Sequence, residues 1–228
     1  MKLPTLFVTG SDTGVGKTVF AALLTRHLLA RGFRVAGLKP ICSGGRADAL
    51  ALHAAGGKVL TLDEVNPWHF RAPIAPLLAA RREQRRVRLA EVGAHVRRVA
   101  ESFDVAVVEG AGGLLSPLGE GFDSRDLIRV LRAVPVIVCA NRLGAVNQAL
   151  LVLAALPRLM ARRAQIVVVH PAHADSASRT NPSLLRELAG RAFVHELPHL
   201  PHPTALDAAL RRAPVRRTLD ALLREIGG

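Results

Sequence analysis

The chain has 228 residues, half of them hydrophobic, and a formal charge of +13 at pH 7. That length suits one domain, 1–228, with a sizeable core, and no apolar run approaches the ~20 residues of a membrane span. The positive charge is scattered in small arginine clusters, tyrosine is absent and aromatic residues make up 4%, so stacking platforms for nucleic acid are scarce and such a partner is not expected.

The predicted elements alternate strand and helix. Strand 6–9 leads through a glycine-rich turn into helix 18–31, which Gly32 ends. Strand 35–38 follows, then a short helix over 48–55 stopped by Gly56-Gly57. Residues 66–76, rich in proline and turn residues, read as an irregular loop. Helix 89–102 has apolar residues at helical spacing. Strand 105–108 is continuously apolar, with 109–113 as the loop after it. Then come helix 126–132, strand 134–140, helix 147–163, strand 166–169, helix 182–189, strand 193–197 and terminal helices within 204–226. Unbroken Val/Ile/Leu strands between helices predict an α/β fold, a doubly wound, mostly parallel sheet in three layers. Ligands of such sheets bind at the carboxyl ends of the strands. The polar and glycine-rich stretches fall at those ends, which predicts one site built from several loops.

The first strand runs into Gly10-Ser11-Asp12-Thr13-Gly14-Val15-Gly16-Lys17-Thr18. This is the strand, loop and helix context of a phosphate-binding P-loop. Backbone N–H groups of such a loop curl round a phosphate chain, and the helix N-terminus adds a partial positive charge. Lys17 is placed to reach terminal phosphates and the Thr18 hydroxyl to ligate Mg²⁺. The first glycine stands at position 10, one residue earlier than the usual spacing. Arginine so outnumbers lysine that only Lys2, Lys17, Lys39 and Lys58 are present; a retained lysine suits a place that needs a compact ammonium.

Glu109 closes an apolar strand, where a carboxylate needs a cation. Mg²⁺ or an arginine would serve. Gly110-Ala111-Gly112-Gly113 lets a ligand approach the backbone closely. Asp48 opens a helix as an N-cap or supplies a second metal carboxylate. Cys42 and Cys139 lie in or beside apolar segments and read as reduced packing residues.

Together these stretches resemble the dethiobiotin synthetases. The resemblance is carried by 8–18, Gly37-Leu38-Lys39-Pro40, Ser43-Gly44 with 48–52, Asn66-Pro67, 108–113 with Ser116-Pro117-Leu118, and Leu143-Gly144 with Asn147. It runs in family order over the first two thirds of the chain. The early Gly10 is itself the family's form of the loop. The resemblance implies an ATP-dependent, Mg²⁺-dependent cyclo-ligase that joins CO₂ to 7,8-diaminononanoate in biotin biosynthesis, through a carbamate and a carbamic–phosphoric anhydride. It implies catalytic roles for Lys39, Lys17, Thr13 and Ser43, and Mg²⁺ ligation by Thr18, Asp48 and Glu109. Nucleotide contacts fall to Gly14, Val15, Gly16, Lys17, Thr18, Asp48, Glu109, Gly110, Ala111 and Gly112, with His170, Pro171, Pro198, His199 and Leu200 at the base. Ser43, Gly112 and Asn147 are the implied substrate contacts, Asn147 across the interface of a homodimer. A cytoplasmic location is expected, since the first strand begins almost at Met1.

The chain departs from the family pattern at two places. Gly14 replaces a frequent acidic residue. His170 stands where the family reads adenine with an asparagine, and the ribose carboxylate is not evident, so the choice between ATP and another nucleoside triphosphate stays open. Other P-loop readings are an amidotransferase-type ligase of cobyrinate synthesis, a partition-type nucleotide switch and a basic nucleic-acid-binding ATPase. The first has no glutaminase domain within 228 residues. The second needs a loop lysine where Ser11 and Asp12 stand. The third predicts strongly salt-dependent DNA binding.

Overall fold

A computed structural model describes residues 2–227. Six parallel strands form the central sheet: β1 (Leu6–Gly10), β2 (Val35–Leu38), β5 (Val105–Gly113), β8 (Val134–Ala140), β9 (Gln165–Val169) and β10 (Phe193–Leu197). Their order across the sheet is β10-β9-β8-β1-β5-β2. Alternate residues feed opposite faces, because successive side chains of a strand point to opposite sides. Leu6, Val8, Val107, Val136, Val138 and Val167 pack on one face with Phe20, Leu23 and Leu24 of α1 (Lys17–Ala30) and Leu219 and Leu222 of α11 (Ala213–Gly227). Phe7, Val108, Ile137, Ile166 and Val168 pack on the other with Val92 and Val96 of α5 (Leu89–Ala100), Leu127 of α6 (Ser124–Leu131), Ala149 of α7 (Ala145–Ala155) and Leu185 of α9 (Ser176–Leu188). Burial of both faces explains strands that are apolar throughout. Cys42 and Cys139 are buried and free.

Several boundaries differ from the sequence-based expectation, each for a local reason. β5 continues through Gly113, so Glu109 and the glycines after it belong to the strand, with Val8 opposite Glu109 and Gly10 opposite Gly113. Part of the expected loop 66–76 is a strand, β4 (Trp68–Phe70), paired in parallel with β3 (Ile41–Ser43). The helix expected over 147–163 breaks where Leu156 is extended (ψ 145°) before Pro157, as steric conflict with a following proline demands. α8 (Arg158–Ala161) then resumes. The helix expected over 48–55 is α2 (Ala47–Ala55); short elements without a sequence signal are α3 (Leu62–Val65) after it, α4 (Pro76–Arg82) after β4, and the antiparallel pair β6 (Pro117–Gly119) and β7 (Phe122–Asp123) after β5. α10 (Leu206–Arg211) precedes α11.

α9 starts six residues before the expected 182, at a capping box between Asp175 and Ser178, and carries Pro182 inside. Proline lacks the N–H that would bond the carbonyl four residues back. Asn141 fills that gap: its Nδ2 donates to Ser178 O at 2.8 Å. The helix therefore depends on a side chain from the end of β8.

His195 of β10 is buried, with Nε2 2.7 Å from Gln165 Oε1. Burial, assisted by the charge of Arg186, pushes its pKa down from 6.5 to about 4. Between those values the unfolded chain takes up a proton that the folded chain refuses. His195 thus withdraws stability as pH falls through that window, by roughly 3 kcal/mol in all at about 1.4 kcal/mol per pH unit. In urea unfolding, His195→Gln is expected to flatten this acid limb; an unchanged limb would assign the loss elsewhere.

Candidate active site

The glycine-rich turn between β1 and α1 sets the geometry. Gly14 (φ 74°) and Gly16 (φ 96°) occupy the left-handed region that disfavours a side chain. Gly16 caps α1 without a side-chain hydrogen bond, which leaves the first amides of the helix free to receive an anion. Lys17 opens that helix and rests its Nζ on Asp12 O at 2.8 Å. Burial, joined by the nearby Lys39 charge, lowers its pKa.

Beside the turn lies a cleft of about 580 Å³ lined by Thr13, Gly14, Lys17, Lys39, Cys42, Ser43, Asp48, Ala111, Gly112 and Ser116, with 73–76 closing one side. Side chains from β2, β3, α2 and β5 thus meet the P-loop. Lys39, just beyond β2, is 1% exposed. Its Nζ lies 2.6 Å from Glu109 Oε1 and 3.0 Å from Asp48 Oδ2, and donates to Gly110 O at 2.9 Å. Thr18 Oγ1 donates to the same Glu109 Oε1 at 2.8 Å. Burial works against the Lys39 charge, but the Glu109 and Asp48 carboxylates outweigh it and raise its pKa. Burial also pushes the Glu109 carboxyl up; the ionised carboxylate is the form that accepts from both Lys39 and Thr18. Asp48 is held below the usual carboxylate range, against burial, by the Lys39 ammonium. It sits in the first turn of α2, whose N-cap is Arg46, so capping is not its role.

Glu109 Oε2 is buried and has no hydrogen-bond partner. An orphaned carboxylate oxygen beside a hydroxyl and a second carboxylate is a hard-oxygen donor set of the kind Mg²⁺ takes. No cluster of three or more His, Cys, Asp or Glu suited to a metal occurs among the described residues. Two carboxylates and a threonine suffice where substrate phosphates and water complete the shell.

Close approach explains the glycines of β5. A Cβ on Gly110 would lie 2.9 Å from Ser124 Oγ and 3.0 Å from Phe7 Cε1, and Gly112 (φ 68°) faces Ser116, whose Oγ accepts from Gly113 N at 2.9 Å.

A family model described as an AAA domain matches residues 4–206. The ATP-dependent dethiobiotin synthetase BioD of Akkermansia muciniphila is 35% identical over 206 residues, covering 90% of this chain and 97% of that protein. The chain belongs to the dethiobiotin synthetase family. The family's member in Anaeromyxobacter dehalogenans is 46% identical over 158 residues, 67% of this chain and 70% of its own. Among solved structures, the MinC:MinD cell division complex of Aquifex aeolicus aligns over 99% of this chain and 96% of the matched chain, with a TM-score of 0.61 at 13% identity. At that identity it shows a shared P-loop α/β architecture.

Of the residues that the family resemblance singles out, Thr13, Gly14, Lys17, Lys39, Ser43, Asp48, Ala111 and Gly112 line the one cleft. Glu109 joins it through Lys39, Thr18 through Glu109, and Gly110 through its carbonyl, which accepts from Lys39. Val15 is buried under the loop. The Ser43 hydroxyl donates to Ile74 O at 2.6 Å. Asn147 is exposed on the first turn of α7 and does not line the cleft. His170, Pro198 and His199 line a separate hollow of about 580 Å³ between β10, α9 and α11. Pro171 is half-buried beside His170, and Leu200 packs into the core.

The His170 ring is fully engaged. Asn181 Nδ2 donates to Asn141 Oδ1 at 3.0 Å and Asn141 Nδ2 donates to Ser178 O. The nitrogen of Asn141 therefore faces His170 Nδ1 at 3.4 Å, which makes Nδ1 the acceptor and leaves Nε2–H to donate to Glu196 Oε2 at 2.9 Å. Glu196 is held below the usual range, against burial, by Arg186 and His170. Sequence reading missed Glu196. The available signal was an acid beside a histidine, His195-Glu196, in a strand otherwise made of Phe, Val and Leu. Asn66, fully buried, donates from Nδ2 to Lys39 O at 2.6 Å and so pins the backbone beneath the lysine, a role that its residue type and position alone do not reveal.

Proposed function

We propose that this chain is an ATP-dependent dethiobiotin synthetase, closing the ureido ring of dethiobiotin from 7,8-diaminononanoate and CO₂. The observation that carries the reading is the meeting, in a member of this family, of two lysine ammoniums and the P-loop helix on one cleft. One amine of the diamine takes up CO₂ as a carbamate. A carbamate oxygen attacks the γ-phosphorus of ATP and ADP leaves. The second amine attacks the carbonyl carbon of the resulting anhydride, the ring closes and phosphate departs.

The protein's task in this sequence is alignment and charge stabilisation. Lys39 meets the carbamate and the transferring phosphoryl group, and Lys17 leaves Asp12 O to meet the terminal phosphates. Amides of 14–18 hold the phosphate chain. Thr13 and Ser43 orient substrate oxygens, and Gly110, Ala111 and Gly112 let the substrate lie against the backbone. Thr18, Asp48 and Glu109 would hold Mg²⁺, which supplies charge neutralisation along the triphosphate. His170, Pro171, Pro198, His199 and Leu200 border the base. With both His170 nitrogens engaged, its imidazole offers the base a face, not a hydrogen-bonding edge.

The working unit is proposed to be a cytoplasmic homodimer of single-domain subunits. Leu143 (86% exposed) and Leu151 (61% exposed) flank Asn147. Beside them, a hollow formed by Leu115, Leu151 and Val152 shares Thr13 and Ser116 with the cleft. A second copy covering that face would bring its own Asn147 towards the substrate. Nucleic acid is not a proposed partner: with no tyrosine and 4% aromatic residues, side chains for stacking on bases are scarce.

The test is product formation. Incubated with the diamine, bicarbonate, Mg²⁺ and ATP, the purified chain is expected to release dethiobiotin, read by mass, with one ADP per product. ATP hydrolysis without the ureido product would reject the reading.

A further inference from the structure

The Lys39 ammonium touches three hard oxygens at once: Glu109 Oε1, Asp48 Oδ2 and Gly110 O. Both carboxylates are the ones assigned to Mg²⁺ above, and Thr18, the third assigned ligand, shares Glu109 Oε1 with the lysine. Glu109 and Lys39 are buried and Asp48 is half-exposed; a divalent cation on those two carboxylates would sit against the ammonium and repel it. Glu109 Oε2 has no partner in this arrangement, so the lysine neutralises the carboxylate without satisfying it.

The backbone at Lys39 is fixed on both sides. Its N–H donates to Val65 O at 3.0 Å, and its carbonyl accepts from Asn66 Nδ2 at 2.6 Å. Any departure of the ammonium is therefore a side-chain rotation about a pinned Cα. Room for it exists, because Lys39 lines the 580 Å³ cleft where the reacting groups are proposed to sit.

We propose that Lys39 and Mg²⁺ are alternative occupants of the Glu109–Asp48 carboxylate pair. The lysine holds the seat in the metal-free protein, and arrival of the metal turns its ammonium out into the cleft, where phosphoryl transfer needs it. Metal loading and delivery of the catalytic charge then become one event. Linkage makes the coupling reciprocal: a lysine that competes for the seat must weaken metal binding. The proposal deepens the function above and rests on its metal assignment.

The experiment uses the full chain and the metal alone. With only four lysines in the sequence, reductive methylation followed by mass spectrometry reads each separately. Lys39 is expected to be protected without metal and modified at saturating Mg²⁺. In parallel, Mn²⁺ binding read by EPR is expected to be about ten-fold or more tighter in Lys39→Met than in the parent. Protection that persists at saturating Mg²⁺ overturns the proposal, as does a variant that binds Mn²⁺ no better than the parent. If Lys39→Met does not fold, the labelling of the parent decides. Dethiobiotin formation by the parent is scored separately, so failure of the exchange with product intact leaves the functional reading standing.

Discussion

Lys39→Ala is expected to lower kcat for ring closure by about 10²–10³-fold, the range for losing one preorganised donor at a developing charge. The same substitution leaves Glu109 buried beside Asp48 with no ammonium between them. Removal of one partner from a buried ion pair costs about 3–5 kcal/mol, so the variant is expected to unfold at a clearly lower urea concentration. The two readouts separate. Added Mg²⁺ restores stability by giving the carboxylates another cation, but it cannot restore the missing ammonium in the cleft. Steady-state kinetics at saturating Mg²⁺ and a urea titration with and without the metal measure both effects. Parental kcat in the variant would remove Lys39 from the mechanism.

Gly10→Ala is expected to damage nucleotide binding with little change at the metal ligands. A Cβ at Gly10 would lie 2.7 Å from Asp12 O, 2.9 Å from Val15 Cγ2 and 3.0 Å from Lys17 Cδ. Backbone and loop side chains would have to give way together, an overpacking cost of about 1–3 kcal/mol. The phosphate-binding amides would move with them. ATP affinity, read by calorimetry, should fall about ten-fold or more, the equivalent of ~1.4 kcal/mol. Wild-type affinity would show that the loop tolerates a methyl group there.

Gly10 also shows how the sequence could be read and where reading stopped. Its place, one residue before the usual P-loop glycine, looked irregular by spacing. The structure supplies the reason: the chain doubles back over it, so position 10 is where a side chain has no room. The core strands were legible because burial on both faces leaves an unbroken apolar run, as in 134–140. The extension of β5 through Glu109 and Gly113 was not, because glycines signal turns unless one knows that Phe7 and Ser124 crowd Gly110 and Ser116 crowds Gly112. Nor was the early start of α9. Pro182 reads as a helix opening, and only Asn141, some forty positions away in sequence, makes a proline tolerable inside the helix.

Within the candidate site, chemistry-bearing residue types were legible and their pairings were not. Lys39, Asp48 and Glu109 could each be singled out by type and position. That one ammonium bridges both carboxylates depends on β2 and β5 being neighbours in the sheet, which alternation of elements alone does not dictate. The His170–Glu196 contact likewise needs β9 and β10 side by side.

The most direct test of the account follows an oxygen atom. In the proposed route a carbamate oxygen attacks phosphorus, and the carbon–oxygen bond breaks when the ring closes. With ¹⁸O-labelled bicarbonate and unlabelled water, assayed faster than label exchange, the phosphate released with each dethiobiotin is expected to carry one labelled oxygen, and the ureido carbonyl the other. Unlabelled phosphate alongside labelled dethiobiotin would contradict phosphoryl transfer to the carbamate and, with it, the assignment of the P-loop, Lys17 and Lys39 to that step.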